Sequence, residues 1–186
     1  MVAVDTNAAL VRLHWGCGSK PMPGWINSDL VQAPGIDLSG DIRDGLDLPD
    51  RSVDYAVAIH ALQDLPWADI PVALKELRRV LKPGGVLRLA LPDMDRAIAA
   101  YQRGDAGYFY VPDEHAESVG AKLVTQLIWY GSTRTPMNWD YARESLGRAG
   151  FADVRRCAFR QTGSPYPDIV SLDDRERETL FVEGTA

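Results

Sequence analysis

Two short apolar runs on either side of a glycine turn constrain this chain more than any other feature. The first run, Val11 to Trp15, ends in Gly16-Cys17-Gly18, and the second, Ile26 to Leu30, places Asp29 near its end. Glycines at the carboxyl end of a strand let a ligand lie against bare backbone, because no Cβ stands in the way. A carboxylate at the end of the next strand can accept hydrogen bonds from a ribose diol. The stretch therefore predicts two strands with a nucleoside site at their ends.

The residues after the turn argue against a dinucleotide as the ligand. A dinucleotide fingerprint needs a third glycine at the start of a helix and an acid roughly 20 residues further on. Pro21 and Pro23 instead follow Gly18 closely and leave little room for a long helix. A pyrophosphate would need that helix N-terminus, whereas a ligand without phosphate does not. A plain glycine-rich turn that joins two strands is the alternative, because a GxG pattern alone is a weak signal.

The sequence GCGSKPMPGWINSD resembles motif I and the acidic second-strand motif of class I S-adenosylmethionine-dependent methyltransferases. It is most similar to a small branch of that family that reads GCGSKPxPGWINxD. The resemblance implies an α/β fold: a Rossmann-like, doubly wound, mostly parallel seven-stranded sheet with an antiparallel last strand. It also implies S-adenosyl-L-methionine as the cofactor, which has no phosphate and therefore suits the short loop. His14 and Lys20 depart from the family pattern.

Later segments are similar to the same family in the same order. Leu48 to Asp54 resembles the entry to its fourth strand, and Tyr55 to Ile59 is the apolar run of that strand. Gln63-Asp64 then replaces a Glu-His pair that relatives usually carry. Lys82-Pro83-Gly84-Gly85, between a predicted helix and the strand Val86 to Leu91, is typical of the family and structural in role.

The resemblance assigns cofactor contacts to the ends of four strands. In the family, the glycine turn cradles the methionine part, the second-strand acid holds the ribose, and an acid followed by an apolar residue contacts adenine. Asp41-Ile42 matches that last pair best, although aspartates are also common turn and cap residues. The residues that follow the fourth strand flank the methionine end. The expected contacts are Gly16, Cys17, Gly18, Ser19, Asp29, Leu30, Asp41, Ile42, Ile59 and His60.

Whether the reaction needs a catalytic base depends on the methyl acceptor. An alcohol needs a base within hydrogen-bond reach, and the candidates are His60, Asp64 and His115. A carboxylate or thiolate acceptor needs none. The alternative role of His60 is to hold its loop through a hydrogen bond to the backbone.

The chain is predicted to be one domain over residues 1–186, with an insert at about residues 102–139. The insert contains the aromatic patch Tyr108-Phe109-Tyr110 and a predicted helix from Glu114 to Tyr130. Inserts at this place commonly cap the substrate side, and pockets favour aromatic walls. Alternatively the aromatic residues pack as core or form the contact of a homodimer. Other predicted elements are helices over Asp69–Leu81, Pro92–Tyr101 and Trp139–Gly150, and strands over Val154–Phe159 and Glu178–Glu183.

Charge and cysteine content narrow the function classes. The formal net charge of −6 argues against a general affinity for nucleic acid, which needs a basic face. Cys17 and Cys157 form neither a disulfide framework nor a metal-ligand spacing, so no metal site is expected. The apolar runs are strand-length and no leader is visible, which favours a cytoplasmic location without membrane contact.

The predicted function is methyl transfer from S-adenosylmethionine to a small molecule, such as a sugar or a natural product. A non-catalytic cofactor-binding or partner protein on the same fold is the alternative, because His14, Lys20 and Gln63-Asp64 depart from the family pattern. A nucleotide-dependent oxidoreductase is disfavoured by the missing third glycine and the loop prolines.

Overall fold

Seven strands within residues 10–186, the part of the chain that a computed structural model describes, form one sheet in the order β3-β2-β1-β4-β5-β7-β6. The strands are β1 (Arg12–Trp15), β2 (Ile26–Asp29), β3 (Leu38–Ser39), β4 (Val53–Ile59), β5 (Leu81–Pro92), β6 (Ala152–Cys157) and β7 (Thr179–Thr185). Strands β3, β2, β1, β4 and β5 pair in parallel, whereas β7 is antiparallel to both β5 and β6. This order confirms the predicted fold class. The N-terminal stretch for which the sequence gives no clear element lies, apart from Leu10, outside the described residues.

Two amphipathic helices cover one face of the sheet. In α1 (Ile70–Val80), Ile70, Leu74 and Leu77 recur at helical spacing and are fully buried. Together with Leu146 of α4 (Trp139–Arg148), they pack on strand residues such as Leu87 in the main core. Helix α1 ends at Val80 because Leu81 takes an extended conformation and pairs with Val53.

Loop residues pack on the opposite face of the same strands. Side chains alternate along a strand, so Tyr55 and Val57 of β4 face away from the helices that cover Ala56 and Ala58. Trp25 from the loop before β2 meets Tyr55 edge-to-face, with ring centroids 5.3 Å apart. Ile169, from the segment between β6 and β7, is fully buried in the same cluster.

A buried ion cluster ties the segment between β6 and β7 to the sheet. Arg88 of β5 is fully buried, and its guanidinium donates to Asp173 and to Glu183 at 2.7 Å each. It also donates to the carbonyl oxygen of Gln161. Arg88 therefore binds this segment near both of its ends, at Gln161 and at Asp173, from a strand inside the sheet.

The insert forms a small core together with α2, and the predicted helix from Glu114 to Tyr130 is wrong at both ends. Helix α2 (Met94–Gln102) packs against α3 (Val119–Ile128), with Tyr108 and Phe109 buried between them. Helix α3 begins late because Ser118 has an extended backbone and caps the amide of Ala121. It ends at Ile128 because Trp129 is left-handed.

The remaining boundaries differ from prediction by small shifts. Helix α4 ends two residues before Gly150, and β6 begins two residues before Val154. Strand β5 begins at Leu81, so it includes the Lys82-Pro83-Gly84-Gly85 stretch that was predicted to separate helix from strand. None of the helices within residues 10–186 is long and apolar enough to cross a bilayer.

Candidate active site

A cavity of about 940 Å³ lies at the carboxyl ends of β1, β2, β3 and β4. Its size suits a nucleoside-sized ligand. All ten residues predicted to contact the cofactor line it, and so does Asp64. The parallel strands cause this convergence, because their carboxyl ends meet at one edge of the sheet.

The glycine turn at the end of β1 brings bare backbone to the cavity. The amides of Gly16 and Cys17 both donate to the carbonyl oxygen of Ser28, at 2.8 and 3.1 Å. Gly16 has φ +67°, and a Cβ there would lie 2.3 Å from the Cβ of Ala61. Gly18 has φ +55°, and a Cβ there would meet no atom within 4 Å. Gly16 is therefore needed for packing, whereas Gly18 faces open space that a ligand can use.

Asp29 is held by the turn that it faces. Its Oδ2 accepts a hydrogen bond from the Gly18 amide at 2.6 Å. Its Oδ1 makes no hydrogen bond to the described residues, so this oxygen is available to a hydroxyl of a ligand. The contact fixes the carboxylate at the end of β2 in the position predicted for a ribose partner.

Arg43 competes with a ligand for the carboxylate oxygens of Asp41, which the sequence did not indicate. Asp41 caps the short turn Ile42–Asp44, where the Arg43 amide and side-chain Nε both donate to its Oδ1 at 2.9 Å. These bonds to Arg43 lower the pKa of Asp41 to about 2. A carboxylate has about four lone pairs, so only part of its accepting capacity is left for an adenine amine. Ile42 is buried beside it and lines the cavity.

His14 is a buried neutral histidine at the cavity wall. Burial lowers its pKa to about 4, and its Nδ1 has no hydrogen-bond partner among the described residues. The ring meets Trp25 edge-to-face, with centroids 6.4 Å apart. The residue thus joins the cavity to the loop-covered face of the sheet.

His60, directly after β4, has an unusual backbone that is fixed on both sides. Its φ is +49°, a left-handed conformation that is uncommon for a residue with a side chain. Its amide donates to the Ala90 carbonyl at 2.8 Å, and its own carbonyl accepts from Gln63 Nε2. Its Nε2 lies 3.0 Å from Thr179 Oγ1. Burial, followed by the nearby Arg175 cation, lowers the pKa of His60 to about 4, so the ring is neutral near pH 7.

A second cavity of about 260 Å³ adjoins the first and shares His60, Asp64, Ser132 and Arg175 with it. Burial raises the pKa of Asp64 and of Glu178, the two carboxyl groups in its wall. Gln63 and Pro92 also line it, and the insert contributes Gln126, Trp129, Ser132 and Thr133. The Gln63 carbonyl anchors this part of the insert, because it accepts from the amides of Arg134 and Thr135.

The three residues predicted as catalytic candidates are not brought together. His60 and Asp64 line both cavities, whereas His115 lines neither. His115 is half-exposed and pairs through Nδ1 with the Tyr130 hydroxyl at 2.8 Å. The aromatic patch at Tyr108 to Tyr110 likewise lines neither cavity.

Sequence reasoning missed the segment that precedes β7. Asp174 and Arg175 line the main cavity, and Asp174 pairs with Lys20 of the glycine loop at 3.2 Å. Because β7 is antiparallel, its first residue lies beside Pro92, the last residue of β5. The available signal was the charged run at 173–178 immediately before a strand predicted to be antiparallel.

The residues of the main cavity fit S-adenosylmethionine. Gly18 leaves open space where a side chain would intrude, and Asp29 keeps one carboxylate oxygen that no residue within 10–186 contacts by a hydrogen bond. The loop from Ser19 to Trp25 contains no helix that would favour a pyrophosphate. The bound cofactor would supply an activated methyl group on sulfur.

Comparisons with known proteins agree with the site. A family profile described as "Methyltransferase domain" matches residues 2–89. Probable methyltransferase ltbC of Aspergillus luteorubrus is 49% identical over 49 residues, which cover 26% of this chain and 17% of that protein. Demethylmenaquinone methyltransferase of Staphylococcus carnosus is 38% identical over 92 residues, which cover 50% of this chain and 34% of that protein. The matches therefore span about a third or less of these relatives.

A solved structure extends the likeness to the whole fold. An S-adenosylmethionine-dependent methyltransferase from Thermotoga maritima superposes with a TM-score of 0.59 and 18% identity, covering 96% of this chain and 83% of that one. The sequence profile and the sheet order therefore both indicate a methyltransferase fold. Residues 2–89 are thus similar to the methyltransferase domain family, and the fold of the described chain is similar to that of S-adenosylmethionine-dependent methyltransferases.

Proposed function

We propose that this chain transfers a methyl group from S-adenosylmethionine to a small-molecule acceptor. One observation carries the proposal most directly: Asp29 is held against the glycine turn by the Gly18 amide at 2.6 Å and keeps an oxygen for the ribose. The adjoining cavity of about 260 Å³ offers a separate place for an acceptor that is small.

The protein's part in such a reaction is orientation and exclusion of water, because the sulfonium methyl is already activated. Gly16 to Ser19 would cradle the methionine part, and Asp41 with Ile42 would contact adenine. Ile59 and His60 would flank the methionine end, where the two cavities meet. The insert at about residues 102–139 would then border the acceptor, since Trp129 and Gln126 line only the smaller cavity, while Gly131, Ser132 and Arg134 would also border the cofactor.

Calorimetric titration with S-adenosylhomocysteine tests the cofactor site. We expect micromolar binding to the wild type and a roughly 10- to 100-fold weaker affinity for Asp29→Ala, because hydrogen bonds to a charged group contribute about 1.5–3 kcal/mol. Asp44→Ala is the matched control, since Asp44 is an exposed acid that lines neither cavity. NAD, titrated in parallel, should not bind.

A screen with methyl-labelled S-adenosylmethionine then tests turnover. Transfer of label to a small molecule supports the enzyme, whereas binding without turnover for any acceptor favours a cofactor-binding partner protein. Failure of the folded wild type to bind S-adenosylhomocysteine would refute the proposed cofactor site.

A further inference from the structure

The contacts around His60 determine which ring nitrogen carries the proton. Thr179 Oγ1 lies 3.0 Å from His60 Nε2 and 2.8 Å from the carbonyl oxygen of Arg175. A carbonyl oxygen only accepts, and two oxygens this close repel each other unless a proton lies between them. The single hydroxyl proton of Thr179 therefore points at Arg175. His60 Nε2 must then donate to Thr179.

Two further observations agree with a proton on Nε2. Thr179 is fully buried, so water cannot supply a different donor to its oxygen. Asp174 Oδ1 lies 3.9 Å from His60 Nε2 and has no hydrogen-bond partner among residues 10–186. A carboxylate at this distance favours an N–H on the nitrogen that it faces.

The other ring nitrogen consequently keeps its lone pair. His60 Nδ1 makes no hydrogen bond to the described residues, and His60 lines both cavities. The antiparallel direction of β7 produces the pairing, because it brings Thr179 to the edge of the sheet where β4 and β5 end.

We propose that His60 Nδ1 is the general base for a hydroxyl-bearing acceptor in the 260 Å³ cavity, and that Thr179 is the positioning residue that sets this tautomer. The inference rests on the proposed methyl transfer. The acceptor hydroxyl gives its proton to Nδ1, and its oxygen forms a bond to the methyl carbon. The carbon–sulfur bond breaks with its electron pair left on sulfur, and the imidazolium then passes the proton to water.

The walls of the smaller cavity favour an acceptor that carries hydrogen-bond donors. The Glu178 side chain is only 12% exposed, and its carboxylate lies 3.8 Å from the Arg175 guanidinium without a hydrogen bond to the described residues. Asp64 adds a second accepting group, and Trp129 adds an aromatic wall. A hydroxylated ring or chain can donate to both carboxyl groups, whereas a carboxylate acceptor would meet them as two like charges beside the single cation of Arg175.

Charged groups of both signs face or surround His60. Arg175 and Lys20 disfavour a proton on the ring, whereas Asp174 favours it, and burial outweighs all three. Asp64 and Glu178 line the smaller cavity beside the ring. The ring is therefore neutral, with a lone pair on Nδ1, from about pH 5 upwards.

Nitrogen-15 NMR of the histidine rings in the protein alone tests the tautomer. His60 is assigned from the signal that is lost in His60→Asn. We expect wild-type His60 to be neutral with its proton on Nε2, and Thr179→Ser to keep this state because the hydroxyl remains. Thr179→Val should lose the preference and populate both tautomers. A wild-type proton on Nδ1, or a Thr179→Val spectrum unchanged from wild type, overturns the proposal.

Phenol and anisole, added at saturating S-adenosylhomocysteine, test the base without knowledge of the natural acceptor. Phenol can donate its hydroxyl to Nδ1, whereas anisole has no proton to donate. We expect phenol alone to move the Nδ1 resonance. An equal effect of both compounds, or of neither, counts against His60 as the base.

The values of kcat and KM distinguish a positioning role of Thr179 from a general structural role. Once an acceptor is found, Thr179→Val should lower kcat about 10- to 100-fold with KM for S-adenosylmethionine unchanged, and Thr179→Ser should recover most of the rate. Failure of S-adenosylhomocysteine to bind defeats the proposed function, but it leaves the tautomer measurable. Normal binding with the wrong tautomer defeats only the role of His60 and Thr179.

Discussion

Gly16 and Gly18, the two glycines of the cofactor turn, are required for different physical reasons. Both have positive φ, but only Gly16 packs against a neighbour, Ala61. The sequence predicts that a ligand meets bare backbone at both positions. The structure divides the roles: one glycine allows the chain to pack, and the other leaves space for the ligand.

We expect Gly16→Ala to reduce the free energy of unfolding by about 3 kcal/mol or more, since left-handed strain adds to the collision with Ala61. Gly18→Ala should cost only about 1–2 kcal/mol of strain and should weaken binding of S-adenosylhomocysteine. Urea unfolding and calorimetry measure the two effects. Adding Ala61→Gly to Gly16→Ala should restore part of the stability, and equal losses for the two single variants would contradict this division.

The ten expected contact residues of the cofactor cavity could be predicted from the family resemblance, because its motifs lie at strand ends and turns, which are local features. Arg43 and Thr179 could not be predicted in the same way. Arg43 lies two residues from Asp41, but nothing in the sequence shows that the two side chains pair. Thr179 meets His60 across 119 residues of sequence, and only the pairing of β7 with β5 brings them together.

At the scale of elements, the Arg88 cluster joins a strand to the long segment between β6 and β7. Asp173 contacts the guanidinium through both oxygens, and it also accepts from the Arg160 amide. The next residue, Asp174, reaches the cofactor cavity. The cluster therefore sets the position of a cavity wall from within the sheet.

Arg88→Leu should reduce the free energy of unfolding by about 3–5 kcal/mol, because it leaves Asp173 and Glu183 buried without their partner. Urea unfolding measures the loss. Arg148→Ala is the control, since it breaks an exposed pair with Glu144 and should cost about 0.5 kcal/mol or less. Adding Asp173→Asn and Glu183→Gln to Arg88→Leu should recover part of the loss. A loss for Arg88→Leu as small as that of the control would show that the cluster adds nothing.

The sequence predicts the core elements better than the insert. Helix α1 has a regular apolar stripe and clear signals at both ends, and the structure places it within a residue of the prediction. The apolar residues of the insert continue the helical spacing beyond the helix itself. Ala116 is buried although it lies in the turn before Ser118, and its position in the apolar pattern therefore extended the predicted helix too far.

At the scale of the whole molecule, two buried histidines make stability depend on pH. His14 and His60 are neutral in the folded protein down to about pH 4, whereas the unfolded chain protonates them near pH 6.5. The unfolded state thus binds more protons between these values. Stability is complete above about pH 6.5 and falls as the pH decreases towards 4.

We expect each histidine to remove about 2 kcal/mol of stability between pH 7 and pH 5, since one pKa unit corresponds to about 1.4 kcal/mol. Urea unfolding at pH 7, 6 and 5 measures the slope. His14→Gln should make the slope shallower, with His115→Gln as the matched replacement of a half-exposed ring. The same slope in His14→Gln as in the wild type would contradict the assignment.

The parts of the cavity rim are held in place to different degrees. One part belongs to a segment that packs on the loop-covered face of the sheet. The segment that presents Asp174 and Arg175 also buries Ile169 completely against the sheet and is held by Arg88. Moving that segment outwards would expose Ile169 and break the hydrogen bond of Arg88 to Asp173. Another part of the rim contains Gly131, Ser132 and Arg134, which are exposed and are held by hydrogen bonds of the Arg134 and Thr135 amides to the Gln63 carbonyl. One side of the cavity is therefore fixed by the core of the sheet, whereas the other is fixed mainly by backbone hydrogen bonds near the surface, so we expect amide hydrogen exchange to be faster on the second side.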